Sequence, residues 1–366
     1  MLNRRFFRMA GVMTATTVGA GLFSLPYVFL RSGWLTGIFY LAALSAALAF
    51  VHRLYFRVLE KEGGDERLLG LASMRLGRFG RLWGLLSIQG GLILALVIYL
   101  LLARGFSEML FPGSGNLGLA LFWLAGSLPL VFGLRRLIAA EILGAVLMAG
   151  MILAVFFYGF GDRLASLPVF SWDGFFLPFG PVLFSLAGWT AVEPIFDANR
   201  SPERKRAMRA MAAGTFFAAA LYALFVFGVL GSSAEIFPNA LQGLADWPAW
   251  RFALLTVLGL FAIWTSYVPI GLEVANGIRM DLGWTRTASL AFVLFLPPAL
   301  VALGLNDFLA VMGLAGGIFL GSEYLLLIAI AWRSLALSFR EKAIGAALVA
   351  LFLLGAVYEA YYFVIR

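Results

Sequence analysis

Glycine and proline occur together in two apolar segments of the chain, Thr16–Pro26 and Phe184–Pro194. Glycine inside a helix costs about 1 kcal/mol relative to alanine, and an interior proline costs about 3 kcal/mol, so each segment predicts an interrupted helix. An unwound turn away from water offers free amide groups to a carboxylate, and free carbonyl groups to an ammonium group or a cation. The two segments therefore predict a small charged ligand held by the backbone.

Ionisable side chains inside apolar runs are the second set of candidates, because each costs several kcal/mol there unless it is paired or hydrated. The glutamates in such positions are Glu141, Glu193, Glu273 and Glu323. The single histidine, His52, closes an apolar run beside Arg53, which favours an interfacial side chain over a proton relay. The absence of cysteine excludes disulfides, thiolate catalysis and thiolate metal sites.

The elements that must position these residues are membrane-spanning helices. Residues are 62% hydrophobic and 13% charged, whereas soluble domains are roughly half apolar and a quarter charged. The apolar runs are about twenty residues long, enough to cross roughly 30 Å of hydrocarbon. We predict an all-α membrane protein with eleven spans, near 7–30, 33–56, 81–103, 116–133, 137–160, 176–197, 208–231, 251–278, 287–305, 308–332 and 343–364.

The basic residues indicate the orientation of the spans. If the N-terminus is cytoplasmic, most of the 27 lysines and arginines fall in cytoplasmic segments, as the positive-inside rule requires. The sequence therefore predicts an N-terminus inside and a C-terminus outside, most simply in a bacterial cytoplasmic membrane. The formal charge of +8 does not indicate nucleic-acid binding, because the basic residues lie in short clusters between apolar runs.

The two interrupted segments occupy corresponding positions in two halves of the chain. Spans 2 to 5 correspond to spans 7 to 10 at a nearly constant offset, which predicts one repeat over 7–160, a second over 176–332 and an extra helix over 343–364. Paired interrupted spans are the best sequence indication of a transporter binding site at the bilayer midplane. The alternative, for either segment alone, is that its glycines let helices pack closely.

Three long stretches of the chain carry a pattern found in a known family. They read TTVGAGLFSLPYVF with the following SGW, LPFGPVLFSLAGWTAVEPIF, and FVLFLPPALVALGLNDFLAVMGLAGGIFLG. In this order they resemble the amino acid/auxin permease family of the amino acid, polyamine and organocation transporter superfamily. The resemblance implies a leucine-transporter-type fold of five plus five inverted repeats, with helices 1 and 6 discontinuous, and ion-driven import of amino acids. Many relatives have Gly-Gly-His where this chain has Ala187-Gly188-Trp189.

The resemblance also implies which residues bind the substrate. The amides expected to hold its carboxylate are those of Ala20, Gly21 and Leu22. The carbonyls expected to face its α-ammonium group are those of Thr17, Phe184, Ser185 and Ala187. The aromatic side chains expected in the side-chain pocket, although aromatic residues more often serve packing, are Trp189, Phe23, Tyr27 and Tyr267. The polar candidate in span 3 is Gln89, whose alternative role is bonding between helices.

The coupling ion is predicted to be Na+ or H+, with no other cofactor. Span 8 places one carbonyl and two hydroxyls at i, i+3 and i+4 on one helical face, from Ala262, Thr265 and Ser266. This spacing resembles the sodium site of the fold, in which the resemblance implies further carbonyls from Ala15 and Val18. The alternative is that the hydroxyls bond back to their own helix and that protons couple through Glu193 or Glu273.

A cytoplasmic gate is predicted at the inner ends of the helices. Arginines precede helix 1 at Arg4, Arg5 and Arg8, and carboxylates lie on the inner ends of helices 6 and 8 at Glu193, Glu273 and Asp281. In the fold that the resemblance implies, these helices surround the inner vestibule. We therefore expect Arg5 or Arg8 to pair with Glu193 or Glu273 when the inner end is closed, with a contribution of roughly 1 kcal/mol.

Two other function classes need patterns that the sequence lacks. A membrane enzyme needs a catalytic constellation such as clustered His and Asp or a Ser/Lys pair, and a channel tends to have rings of pore-lining charge. We predict no catalytic residues. The expected partners are a small amino acid and the lipid bilayer, and the sequence does not indicate an oligomeric state.

Overall fold

The computed structural model describes residues 2–63, 67–132, 138–159, 161, 164, 166–198, 204–233, 235–244 and 246–365. The side chain of Glu141, one of the predicted carboxylates, lies outside the described part. The helices are α1 Leu2–Thr17, α2 Leu25–Ser32, α3 Trp34–Glu62, α4 Leu68–Leu110, α5 Gly115–Phe132, α6 Ile138–Gly159, α7 Phe179–Ser185, α8 Val192–Asp197, α9 Arg204–Ser232, α10 Ala249–Leu282, α11 Arg286–Ala302, α12 Phe308–Gly313, α13 Gly321–Ser334 and α14 Phe339–Ile365. A π-helical segment, Leu314–Leu320, joins α12 to α13.

The length and apolarity of these helices confirm an integral membrane protein. Among the described residues, eight helices are long and apolar enough to cross a membrane, and the bent pair α1 and α2 gives a ninth span. Two shorter apolar segments are Leu143–Gly159, which is part of α6, and Arg286–Ala302, which is α11. The predicted total of eleven spans stays a prediction, as does the orientation in the membrane.

The first span is broken where the sequence predicts it. Helix α1 ends at Thr17, the next two residues are not helical, and a 3₁₀ turn over Ala20–Ser24 leads into α2. The two halves are bent by 53°. Pro26 lies in the first turn of α2, where its missing N–H would have had no partner in the helix. The helix is thus interrupted at the glycines, and Pro26 lies where the second helix begins.

The sixth span is broken in the same way. Helix α7 ends at Ser185, residues 186–188 leave the helix, and a 3₁₀ turn over Trp189–Ala191 leads into α8. The predicted breaks near Gly19 to Gly21 and near Ala187 to Gly188 are therefore both confirmed.

Helix packing brings the two breaks together in the middle of the bundle. Helix α9 packs against α1, α3 and α6, while α10 packs against α4 and α6. The π-helical segment packs against α7, α4 and the extra helix α14. From α14, Glu359 reaches the start of α7 and accepts a hydrogen bond from the Gly180 amide at 2.9 Å. The extra helix is thus bonded to α7, the first half of the broken sixth span.

The connection predicted over 57–80 is largely helical in the structure. Helix α3 continues to Glu62, and α4 begins at Leu68 and is kinked at Gly77, which has a φ of 68°. The charged residues of this connection thus lie mainly on the end of α3 and the start of α4. The positive φ at Gly77 is the point where the chain turns, in a region of φ that favours glycine.

The connection after α6 closes the opposite end of the bundle. The amides of Trp34 and Leu35 donate to the carbonyls of Pro168 and Val169 at 3.0 and 3.1 Å. Gly33 has a φ of 86°, and any side chain there would collide with the backbone of Phe170. We call this end, with residues 166–178, the outer end. The end with the α3–α4 and α10–α11 connections, predicted to be cytoplasmic, is the inner end.

Candidate substrate and cation sites

One large cavity joins both helix breaks to the inner end. Its volume is about 1670 Å³. It reaches Gly19, Gly21 and Ala187 at the breaks, and its mouth is formed by the ends of α8 and α10 and by the starts of α4 and α11. Because the wall includes no residue of α2 or of the connection over 166–178, the breaks are reached from the inner end.

A tyrosine hydroxyl on α9 bridges the two breaks. Tyr222 lies 2.7 Å from the Thr17 carbonyl and 2.8 Å from the Ser185 carbonyl, and its oxygen accepts from the Gly19 amide at 3.2 Å. The side chain is fully buried. A hydroxyl has one proton to donate, so at any moment it serves one of the two carbonyls, and each carbonyl keeps a free lone pair. Tyr222 thus ties both breaks together without using all of their binding capacity.

Small residues let the two breaks touch. A Cβ atom at Gly21 would collide with the backbone and side chain of Ser185, and one at Gly188 would collide with Thr17 Oγ1 and Met13. Gly19 differs, because a Cβ atom there would meet nothing within 4 Å. Gly21 is therefore required by its contact with the Ser185 backbone, Gly188 faces only side-chain atoms that would have to shift, and Gly19 is unconstrained by contact.

Most of the predicted substrate residues line the cavity. They are Thr17, Ala20, Gly21, Phe184, Ser185, Ala187 and Trp189. The amides of Ala20 and Gly21 open a 3₁₀ turn, so they have no acceptor within it. The Phe184 carbonyl accepts from the Ala187 amide at 3.3 Å. These residues are therefore brought together in one place, and their roles remain predictions.

Leu22 is the exception, and its assignment needs correction. Its amide donates to the Gly19 carbonyl at 3.3 Å within the 3₁₀ turn, and the residue is fully buried outside the cavity wall. The turn uses the hydrogen that was expected to bind substrate. Phe23 and Tyr267 are also fully buried and do not line the cavity. Tyr27 packs under Arg31, away from the cavity wall.

The predicted cation residues also line the cavity, and the two hydroxyls among them lie close to a carbonyl of their own helix. The hydroxyl of Thr265 donates to the Ala262 carbonyl at 2.8 Å, and that of Ser266 lies 3.4 Å from the same oxygen. The chief packing partner of α1, which carries Ala15 and is followed by Val18, is α9 rather than α10. The hydroxyls of Thr265 and Ser266 thus bond back to their own helix, α10.

Charged side chains surround the mouth of the cavity. Glu193 accepts hydrogen bonds from the hydroxyl of Tyr55 and the amide of Leu68, the latter at 3.4 Å, and lies 3.6 Å from Arg67. Arg67 also pairs with Asp197 at 2.7 Å, which raises the pKa of its guanidinium. The inner end of α8 is thus tied to the start of α4.

The predicted gate partners are apart in this structure. Arg5 and Arg8 are exposed, and neither pairs with a carboxylate of the described residues. Glu193 pairs with Arg67 instead, while Glu273 is exposed within the cavity. An open inner end is the state in which such a gate is broken, so its pairing stays a prediction.

Among the carboxylates that line the cavity, Glu323 alone is almost fully buried, with 2% exposure. It follows the π-helical segment on α13, and its Oε2 accepts a hydrogen bond from the Trp189 indole. The amide of Gly188 lies 3.5 Å from the hydroxyl of Tyr324, which is also 3.3 Å from His52 Nε2. His52 is therefore a buried residue, and its position at the membrane interface stays a prediction.

Comparison with solved structures identifies the fold. The structure of MhsT in complex with L-phenylalanine matches with a TM-score of 0.66 and 16% identity, over 97% of this chain and 98% of that chain. Mhp1, a nucleobase-cation-symport-1 family transporter in a closed conformation with bromovinylhydantoin bound, matches with a TM-score of 0.59 and 17% identity, over 98% and 93%. The chain is thus a polytopic α-helical membrane protein with the leucine-transporter-type fold. Neither the family models nor the curated proteins give a match.

Sequence reasoning missed two contributors to the site. Tyr222 is 203 positions from Gly19 and lies in an apolar helix, where a tyrosine looks like packing. The π-helical segment over Leu314–Leu320 has a sequence signal in Gly316 and Gly317, because a side chain at Gly316 would collide with the backbone of α7. Glycine pairs in span 10 could have suggested this contact.

Proposed function

We propose that the protein is an ion-coupled secondary transporter that imports amino acids. The observation that carries this proposal is the single cavity that reaches both helix breaks and ends there. Interrupted helices meeting at the bilayer midplane are where transporters of this kind bind substrate. The two repeats over 7–160 and 176–332, and membership of the amino acid/auxin permease family, are parts of the same proposal.

An amino acid matches the groups at the breaks. Its carboxylate would bind the free amides of Ala20 and Gly21, at the positive end of a helical turn. Its ammonium group would bind the carbonyls of Thr17, Ser185 and Ala187, of which the first two lie within 2.8 Å of Tyr222. Phe184 and Trp189 would then contact the side chain. Both ends of a zwitterion are accommodated without a charged protein side chain.

Sodium is the proposed driving ion. Closing the cavity would bring the carbonyls of Ala15 and Val18 toward the Ala262 carbonyl and the hydroxyls of Thr265 and Ser266, all of which face the same space. Five neutral oxygens suit a small monovalent cation. A proton-coupled permease of the same fold is the second candidate, and it is favoured by Glu273, a carboxylate exposed inside the cavity.

Uptake by purified protein in liposomes tests the proposal. Labelled amino acids are offered with an inward sodium gradient, and then with choline in place of sodium at fixed pH. We expect accumulation above protein-free liposomes that disappears in choline. Accumulation that follows a pH gradient and ignores sodium would transfer the coupling role to Glu273. No accumulation of any amino acid under either gradient would contradict the transporter proposal.

A further inference from the structure

Glu323 is buried at the cavity wall without a cationic partner. No lysine or arginine of the described residues forms an ion pair with it, and its side-chain hydrogen bond comes from the neutral Trp189 indole. An ionised carboxylate buried without a counter-charge is strongly destabilising, so such a group either takes up a proton or gains a cationic partner. The cavity is where that partner can enter.

Glu323 packs closely against α4 on one side and belongs to the cavity wall. Its Oε1 faces α4, where a Cβ atom at Gly91 would lie 3.0 Å away. The cavity wall next to it is apolar and aromatic, with Ile88, Leu92, Leu320 and the ring of Trp189. This combination suits a ligand with a hydrocarbon stem and a cationic end. The stem would contact the apolar wall, the Trp189 ring would attract the cation, and Glu323 would pair with it.

The net charge of the cavity wall also favours a cationic ligand. Five carboxylate side chains line it, from Glu193, Asp197, Glu273, Asp281 and Glu323, against three arginines, Arg67, Arg279 and Arg286. Arg67 is already paired with Glu193 and Asp197. A cavity with an excess of one sign of charge concentrates ligands of the opposite sign. The cavity therefore attracts cations toward Glu323.

We propose that the substrates are amino acids whose side chain ends in an ammonium or guanidinium group, with Glu323 as the residue that selects them. This inference rests on the proposed function. Trp189 donates to Glu323 and belongs to the broken sixth span, two residues from Ala187. The α-amino and α-carboxyl groups of the substrate would thus bind the breaks, while its side-chain cation replaces the missing partner of the buried carboxylate.

Lysine and norleucine form the test pair, since norleucine lacks only the ε-ammonium group. We expect wild-type protein in liposomes to show a kcat/KM for lysine at least about tenfold higher than for norleucine, because a site built for a polar group rejects an analogue that lacks it. Glu323→Gln should reduce that ratio to about twofold or less while norleucine uptake remains. Glu359→Gln is the matched control: Glu359 is equally buried, at 3% exposure, but lies outside the cavity wall, so the ratio should stay as in wild type.

Two results would overturn the inference. One is a wild-type protein that transports norleucine as well as lysine. The other is a Glu323→Gln variant that keeps the lysine preference, including one that loses only its pH dependence, which would make the carboxyl a proton-binding group. If Glu323→Gln does not fold, Glu323→Asp should raise the KM for lysine but not for norleucine. A wild type that transports no amino acid would instead contradict the proposed function.

Discussion

The outer end of the bundle is closed and its inner end is open, and different kinds of residues lie at the two ends. At the outer end, Phe23 packs edge-on against Phe106 and Phe225, with ring centroids 5.1 and 6.1 Å apart, and all three are fully buried. At the inner end, the cavity mouth is formed by arginines and carboxylates. Apolar contacts therefore close the side away from the cavity, while hydratable charges surround the side that is open.

This difference explains how a single site can be accessible from only one end of the bundle at a time. The two breaks lie between the halves, and Tyr222 holds them together from α9. A rearrangement that closes the charged end and separates the aromatic contacts would leave the same backbone groups facing the opposite side. The central claim is thus that the two breaks form one site, which this structure exposes to the inner end only.

The largest expected effect comes from the contact between the breaks. Gly21→Ala would push a methyl group into Ser185, and such overpacking typically costs about 1–3 kcal/mol. We expect uptake to fall about tenfold or more, and Gly21→Leu to abolish it while expression is kept. Gly19→Ala is the matched control, because its Cβ atom meets nothing within 4 Å and its φ of −151° suits any residue. Equal uptake by the two alanine variants would contradict the assignment.

Tyr222→Phe should have the next largest effect. It removes the hydroxyl that serves Thr17, Ser185 and Gly19, and a buried polar group left without a partner costs about 1–3 kcal/mol. We expect a lower melting temperature in detergent and uptake reduced about tenfold. The control is Tyr267→Phe, since that hydroxyl is buried with no hydrogen-bond partner in the described structure. Loss of stability in the control but not in Tyr222→Phe would count against the bridge.

Removing the hydroxyls of Thr265 and Ser266 on α10 should weaken sodium binding rather than amino acid binding. The double variant Thr265→Ala with Ser266→Ala is expected to raise the sodium concentration needed for half-maximal uptake about thirtyfold, at about 1 kcal/mol per lost ligand. Thr256→Ala is the control, because this buried hydroxyl bonds to the Phe252 carbonyl on the same helix and lies outside the cavity wall. An unchanged sodium dependence in the double variant would make these hydroxyls structural.

The smallest effect is expected at the N-terminal arginines. Neutralising Arg5 and Arg8 removes a partly exposed contact of the closed inner end, worth about 1 kcal/mol. Labelling of a cysteine in the cavity from the cytoplasmic side should rise no more than about fivefold. Arg57→Gln, which breaks a pair with Glu341 at the same end, is the control. No change on neutralising all of Arg4, Arg5 and Arg8 would remove the gate.

Local sequence signals predicted the scaffold well. Glycine and proline act on the backbone around them, so the breaks near Gly19 and Gly188 could be predicted from the sequence. The apolar runs predicted the membrane-spanning helices. The contacts that finish the site are long-range, as between Tyr222 and Thr17 or between Trp189 and Glu323. Their residue types also occur in plain packing, so only the three-dimensional arrangement separates them. Leu22 was misplaced because a 3₁₀ turn uses its amide.

Cysteine labelling from each side of the membrane tests the central claim most directly, since the chain has no cysteine of its own. Asn276 is exposed in the cavity, whereas Ala240 is fully buried near the outer end. With a membrane-impermeant maleimide and no substrate, we predict that Asn276→Cys reacts in inside-out vesicles and is protected by a transported amino acid with its driving ion. Ala240→Cys should stay unreactive in right-side-out vesicles. Labelling of Asn276→Cys from the outside only, or from both sides equally, would contradict a single site that opens to the inner end.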